Sequence, residues 1–480
     1  MPSPKTRREF LDEAFFAAAL GGASLLLPQS ARAAYRQTPA SDKVRIAVIG
    51  VRSRGLDHVR GYMDLPDAEI VAICDVDDSM AARAAEIVEK KTGKRPETFS
   101  DLRKVLERKD IDAVSCALPI HWHSLAASWA MQAGKDVYVE KPCSHNVSEG
   151  RRLVDVQKRT GRICQVGTQS RSHKAIQEGI AHIHSGKIGK VTLARGLCYK
   201  PRKSIGIKPD APVPAGVNYD IWLGPAPERP FNPNRFHYEW HWNFSYGAGD
   251  LGNQGIHQMD IARWALNKDV LPDSVQSLGG RFGYVDQGET PNTAVAVYDW
   301  NDAKLIFEVR GLNTQPLQGA TIGDIVYGDN GYVVFTSNYG QAAAFDKDGN
   351  KTADFKGGGN HFAAFVKAVK SRKQSDLAAP IIEGHLSSAL CHLGNVSYRL
   401  GQTAQYADAQ KAWSSDEKAT EALGRMASHL KSDGNEVTIE TVGLTLGQKV
   451  SLDGKRERPK DKEAAPLFTR EYRKGFELPK

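Results

Sequence analysis

Between residues 43 and 166 short apolar runs alternate with stretches of helical period. Residues 44–49, 70–75, 111–118, 136–140 and 162–167 read as strands, and residues 101–108 and 124–133 read as helices between them. That alternation predicts a parallel sheet covered by helices on both faces, a doubly wound α/β arrangement. Past residue 167 the texture changes. Residues 176–185 are helical in period, 191–199 alternate as a strand, and 200–235 are rich in proline and glycine, hence a long loop. Strands follow at 273–282, 293–300, 304–311, 321–328 and 331–336, with hairpin-type turns such as Asp329-Asn330-Gly331. Runs of strands joined this way predict an α+β domain with a mixed or antiparallel sheet. Helices are expected at 361–371 and 383–400. After 402 the chain is polar with one more helix at 416–430, and its last stretch, 454–480, is charged and expected to trail over the surface.

The first 33 residues carry a different pattern. Thr6-Arg7-Arg8-Glu9-Phe10-Leu11 precedes an uncharged stretch over 14–31 and a small-residue cleavage pattern at Ala31-Arg32-Ala33. The arginine pair resembles a twin-arginine export signal. Gly21, Gly22 and Ser24 interrupt the apolar stretch, which falls short of the roughly 20 residues of a membrane span, so a removed signal is expected rather than an anchor. The expected division is a signal at 1–33, a linker at 34–42, a nucleotide domain at 43–166, a second α/β domain at 167–402 and a polar extension at 403–480. The expected location is periplasmic or otherwise exported, with the twin-arginine translocase as a partner. That route carries folded proteins, so an enzyme using it must carry any bound group out with it and regenerate that group in place.

Composition narrows the classes further. With 480 residues, 41% hydrophobic and 25% charged, the chain has ample core for two to three domains. The formal charge of +8 is spread without a basic stripe, and no nucleic-acid motif is present, so nucleic acid is not an expected partner. The six cysteines have no C-x-x-C spacing and read as small buried residues.

Chemistry concentrates at strand ends. The run Val44 to Ile49 leads into a turn bounded by Gly50 and Gly55, with Arg52, Ser53 and Arg54 between them, and Asp75 ends the next strand. Such a turn aims helix N–H groups at a pyrophosphate while the acid takes ribose hydroxyls. Arg52 stands where the usual pattern has its middle glycine. Asp75, Asp77 and Asp78 repel a 2′-phosphate and favour NAD, whereas Arg52 and Arg54 leave NADP open. Two further strand ends carry Leu118-Pro119-Ile120-His121-Trp122-His123 and Glu140-Lys141-Pro142. A lysine there, desolvated beside a nicotinamide, can bond a substrate hydroxyl and help take its proton. Farther on, a glycine-rich turn with Asp250 opens a helix expected to carry Asn253, His257 and Asp260 on one face. Trp240, Trp242, Phe244 and Tyr246 alternate with polar residues, which on a strand gives an aromatic face able to stack on sugar rings. His121, His123, His241 and His257 match no recognised metal-ligand spacing, and no metal is expected.

Taken together, the glycine turn with Asp75, the Leu-Pro-x-His-x-His segment, Glu140-Lys141-Pro142, Val166-Gly-Thr-Gln-Ser-Arg171 and the Gly/His helix resemble the glucose-fructose oxidoreductase, inositol dehydrogenase and rhizopine-catabolism (Gfo/Idh/MocA) family over residues 43–400. The resemblance implies a Rossmann domain, a second domain whose large open sheet mediates homo-oligomers, bound NAD or NADP, and sugar or polyol substrates. It implies Lys141 and His257 as the catalytic lysine and histidine. Leu118, Pro119, His121 and His123 would lie at the cofactor, with Pro119 and His123 bordering the nicotinamide. Glu140 would be at its ribose, and Gln169 and Arg171 near the pocket. The family commonly has an aspartate where this chain has Asn253, and an amide accepts no proton; either Asp250 substitutes or His257 works with Lys141 alone. The expected function is an exported oxidoreductase acting on a sugar, sugar acid or cyclitol. The alternatives are a glycosidase or lyase working by transient oxidation and elimination, and a non-catalytic nucleotide- or carbohydrate-binding protein.

Overall fold

The computed structural model describes residues 43–432 and 434–479. The expected signal and linker, residues 1–42, lie outside the described residues. Six parallel strands, β1 (Val44–Ile49), β2 (Ala68–Cys74), β3 (Glu97–Phe99), β4 (Ala113–Cys116), β5 (Asp136–Val139) and β6 (Cys164–Val166), stand in the order β3-β2-β1-β4-β5-β6. The order reverses between β1 and β4, which opens a crevice beyond their carboxyl ends. Helices α1 (Arg54–Met63), α2 (Asp78–Thr92), α3 (Leu102–Glu107), α4 (Ile120–Gln132) and α5 (Val147–Thr160) cover the two faces. β4 and β5 are consequently buried at every position, which is why they read as unbroken apolar runs. Local chemistry marks the helix ends: Asn146 accepts from the Glu149 N–H to start α5, and Gly161 at φ 63° ends it.

The second half runs through α6 (Lys174–His184), β7 (Val191–Tyr199), α7 (Tyr219–Leu223), α8 (Gly249–Asn253), α9 (Gly255–Ala265), β8 (Ser274–Gly280), β9 (Thr293–Asp299), β10 (Lys304–Arg310), β11 (Ile322–Gly328) and β12 (Gly331–Phe335). It continues with β13 (Gln341–Asp346), β14 (Lys351–Lys356), α10 (His361–Ser371), α11 (Ile381–Arg399), β15 (Gln402–Ala404), α12 (Tyr406–Trp413), α13 (Glu417–Lys431), α14 (Ile439–Val442), β16 (Leu444–Leu446), β17 (Val450–Asp453) and β18 (Arg458–Pro459). The strands form one large sheet ordered β14-β13-β12-β11-β7-β10-β9-β8-β16-β15, with β17 on β8. β7 and β10 pair in parallel while the hairpin neighbours are antiparallel. One face carries α9 and α11, whose Met259, Ala262 and Leu390 share a core with Tyr298 and Phe307.

Four expectations change here. Residues 403–480 are not an extension: β15 to β18 join the sheet, and Trp413, Leu423 and Met426 of α12 and α13 cover Leu278, Val297 and Ile306 on its other face. That face is therefore closed over β8 to β10, and its uncovered part carries Tyr327, Tyr332 and Phe345. The charged end does not trail; Phe476 and Leu478 are buried in the core of the nucleotide domain, and Arg470 donates to the His121 carbonyl at 2.7 Å. Single apolar residues set in a charged run leave no periodic signal. The boundary at 166 is also crossed, because Phe362, Phe365 and Val366 of α10 pack with β1 and α1. Finally, β13 and β14 were not expected at all.

Candidate active site

A cavity of about 680 Å³ lies beyond the carboxyl ends of β1, β2, β4 and β5. Gly50, Arg52, Ser53 and Arg54 form its floor. The turn is tight: Gly50 sits at φ 78° with any Cβ 2.7 Å from the Ala117 carbonyl, and a Cβ on Gly55 would lie 1.8 Å from the Gly50 oxygen. Ser53 holds φ 41° and caps α1 with no side-chain hydrogen bond, while the Gly55 and Leu56 N–H groups donate to the Arg52 and Ser53 carbonyls at 2.8 and 3.0 Å and tighten the turn. Arg52 is exposed and does not block the turn. Asp75 accepts from the Val51 N–H at 2.8 Å and from the Asp77 N–H at 3.0 Å, and burial pushes its carboxyl upward against those bonds. It therefore orders the turn as well as lining the cavity. The Arg52 and Arg54 side chains, the glycine cradle and the acid at the end of β2 fit a nicotinamide dinucleotide.

Glu140 is committed to the floor. Its Oε1 accepts from Arg54 Nε at 2.8 Å and lies 3.1 Å from His58 Nε2, and its Oε2 accepts from the Lys141 N–H at 3.1 Å. Burial alone would raise this carboxyl; the Arg54 charge and the His58 bond hold it well below the usual range. Gly167 is required beside it, since a Cβ there would meet the carboxyl at 2.8 Å. Gln169 reaches this cluster only through Arg54, at 3.5 Å. Leu118, Pro119 and His123 line the next wall, with His123 held between the Pro142 and Leu118 carbonyls at 2.5 and 2.7 Å.

Lys141 enters the cavity from the end of β5, its ammonium donating to the Asn253 carbonyl at 2.6 Å. Burial pushes this lysine below its ordinary value. Asn253 also lines the cavity, and its Nδ2 donates to the Tyr238 hydroxyl at 3.3 Å. The opposite wall comes from the long loop before α8: Trp222, Phe236, His237, Tyr238, Trp240 and His241. This loop is fastened to the nucleotide domain by an Asp77–Val217 bridge, by Asn218 N–H to the Val76 carbonyl at 2.8 Å and by Asp78 N–H to the Gly216 carbonyl at 3.0 Å.

Several expected residues lie elsewhere. The helix expected to carry Asn253 and His257 is broken at Gln254 into α8 and α9. His257 is buried outside the cavity wall, its Nδ1 without a partner, and burial followed by the Lys141 charge pushes it well below its ordinary value. Asp250 is held by Arg202 at 2.9 and 2.5 Å, so it is not the substitute carboxylate of a relay. Arg171 is buried in an ion pair with Asp260 at 2.7 and 2.9 Å and with Glu383 at 3.0 Å, and does not line the cavity. His121 sits behind the wall, 2.9 Å from the Trp222 carbonyl. Residues 239–242 form a 3₁₀ turn instead of a strand, so the aromatic face dissolves. Trp240 stays at the cavity, stacked on His241 at 3.6 Å, while Trp242 turns away to donate to Glu239 at 3.0 Å. Sequence reasoning missed Tyr238, and it weighed His241 only as a metal ligand; the aromatic density of 219–246 inside a proline-rich loop was the available signal.

A Rossmann floor, a strand-end lysine and a large mixed sheet define a two-domain dinucleotide-binding oxidoreductase. Family comparison makes this specific: residues 44–168 match the oxidoreductase family's NAD-binding Rossmann fold, and residues 190–430 match its C-terminal alpha/beta domain. The chain belongs to the Gfo/Idh/MocA oxidoreductase family, whose cofactor is NAD or NADP. Among curated relatives, glycosyl hydrolase family 109 protein 1 of Akkermansia muciniphila is 36% identical over 134 residues, 27% of this chain and 28% of that protein. The alpha-N-acetylgalactosaminidase of Shewanella oneidensis is 35% identical over 132 residues, 27% of this chain and 29% of that protein. The chain thus spans under a third of the length of these relatives. Among solved structures, the WlbA dehydrogenase from Bordetella pertussis in complex with NADH and UDP-GlcNAcA superposes with a TM-score of 0.54 at 20% identity, covering 74% of this chain and 97% of that one. An oxidoreductase domain protein from Kribbella flavida gives 0.55 at 18% identity, covering 74% and 96%. At these identities the likeness is one of fold.

Proposed function

We propose that this chain is an exported NAD(P)-dependent oxidoreductase acting on a ring hydroxyl of a sugar, sugar acid or cyclitol. The observation that carries the reading is that Lys141, pushed down by burial, shares one cavity with the glycine turn and with the Trp240–His241 stack. When bound, the nicotinamide supplies the hydride acceptor or donor. Gly50, Ser53 and Arg54 hold the pyrophosphate end, and Asp75 the ribose. Trp240 offers a face to a sugar ring. Lys141 orients the reacting hydroxyl and lowers the cost of moving its proton. Export by the twin-arginine route, supported by Arg7 and Arg8, makes the cofactor a resident group, and the uncovered aromatic part of the large sheet is the surface for a second copy.

The glycosidase relatives favour a second reading, in which oxidation, elimination of an aglycone and re-reduction return the cofactor unchanged. One experiment separates the two. The full chain is expressed in a host with a working twin-arginine pathway, the mature form is purified, and nucleotide released on denaturation is identified by mass spectrometry. The holo-protein is then given glucose, myo-inositol and the p-nitrophenyl α- and β-glycosides of N-acetylgalactosamine. Net NADH formation supports the dehydrogenase, and aglycone release without it supports the glycosidase. A nucleotide-loaded protein inert toward every class of polyol and glycoside would sink both.

A further inference from the structure

The histidine that the resemblance assigns to proton handling does not line the cavity, although the Lys141 charge acts on it. His257 lies outside the cavity wall, Asn253 carries no carboxylate, and Asp250 is locked to Arg202. Among the described residues lining the cavity, Ser53, Ser100 and Tyr238 carry hydroxyls that donate to no protein acceptor, and of these Tyr238 alone is linked through Asn253 to Lys141. The Tyr238 hydroxyl receives the Asn253 amide at 3.3 Å and the Arg202 guanidinium at 3.5 Å, and both neighbours are donors. With its lone pairs engaged this way, the phenol's own hydrogen is left for a third oxygen. Tyr238 is 42% exposed, so that hydrogen can be reached. Asn253 meanwhile accepts Lys141 on its carbonyl, so one residue holds the lysine and the tyrosine at the same cavity.

The geometry points to Tyr238 as the residue that exchanges a proton with the substrate oxygen, with Asn253 positioning it beside Lys141. The inference rests on the dehydrogenase reading above. In the reducing direction the phenol O–H bond breaks and its proton bonds to the substrate carbonyl oxygen. The C=O π pair becomes the electron pair of that new O–H bond, and the carbon takes its hydride from the bound NAD(P)H. The broken O–H pair stays on Tyr238 as phenolate, facing the Arg202 and Asn253 donors, until water reprotonates it. Oxidation is the reverse. The asparagine gains a reason here: a carboxylate at position 253 would accept the phenol's hydrogen, whereas an amide leaves it free.

Two arms test this. In the first, the full chain is stripped of nucleotide, treated with tetranitromethane with and without restored NADH, and mapped by peptide mass spectrometry. Nitration of Tyr238 that NADH suppresses is expected; equal nitration in both samples overturns the proposal. In the second, on any glycoside or polyol the wild type converts, Tyr238→Phe lowers kcat by at least about 100-fold while KM moves little. A kcat within about threefold of wild type overturns it. Asn253→Asp decides by sign: captured by the new carboxylate, the phenol loses turnover, whereas a family-type relay through His257 would gain it. If the wild type holds nucleotide but converts nothing offered, the dehydrogenase reading fails while the nitration arm still decides whether Tyr238 faces the cofactor.

Discussion

At the scale of single residues, Lys141 owes its chemistry to position. A lysine at a strand end is exposed in most sheets; here the long loop roofs it, and the lost hydration lowers its proton affinity. Lys141→Met is expected to reduce kcat by about 10²- to 10⁴-fold while leaving the bound nucleotide per chain unchanged, measured by turnover alongside mass-spectrometric nucleotide counting. Equal loss of nucleotide would show that the lysine only supports the fold. The site was partly legible before folding was considered. Gly50, Asp75, Glu140 and Lys141 were readable because strand ends are fixed by apolar runs, and an α/β sheet binds ligands there. Tyr238 and His241 were not, since an irregular loop has no period from which to infer what it faces.

Among the elements, the break between α8 and α9 decides most. The sequence around 249–265 reads as one helix; the turn at Gln254 divides it, so that Asn253 ends α8 and His257 stands in the first turn of α9. α9 is then pinned from the far side by Asp260, which holds Arg171 and lies 2.6 Å from Ser387 Oγ. Asp260→Ala would leave the Arg171 guanidinium buried without its main partner, at a cost of about 3–5 kcal/mol in urea unfolding. Cofactor and substrate affinity should change far less than stability, and a selective loss of substrate affinity would restore Arg171 to the pocket. β13 and β14 escaped notice for compositional reasons. One is a run of three alanines, and the other is an edge strand with mostly exposed side chains, so neither shows an apolar alternation.

For the molecule as a whole, buried neutral histidines set the acid limit. Burial holds His121 and His392 down at about 3, against 6.5 when unfolded. Below 6.5 the unfolded chain binds protons that the folded chain refuses until about 3, so stability falls as pH drops through that window. Melting temperature should decline steadily from neutral pH to about pH 5, and His392→Asn should flatten the decline; an unchanged slope in that variant would remove His392 from the account. Packing sets the other limit. Phe476→Ala is expected to cost about 3–5 kcal/mol by urea unfolding, although the residue stands four places from the chain end. The doubly wound sheet was legible because its apolar runs are long; this return of the chain end was not, because a lone phenylalanine among charges gives no pattern.

The arm from Arg470 to Leu478 also carries a consequence for how the protein is made. A ribosome delivers the nucleotide domain first, yet that domain lacks part of its α4 surface until residues 470–478 emerge. Folding of this earlier-made domain is thereby tied to a segment synthesised after the whole second domain. A chain cut before residue 470 would keep its binding motifs and leave the α4 face bare, so the motifs and the packing that supports them are encoded far apart.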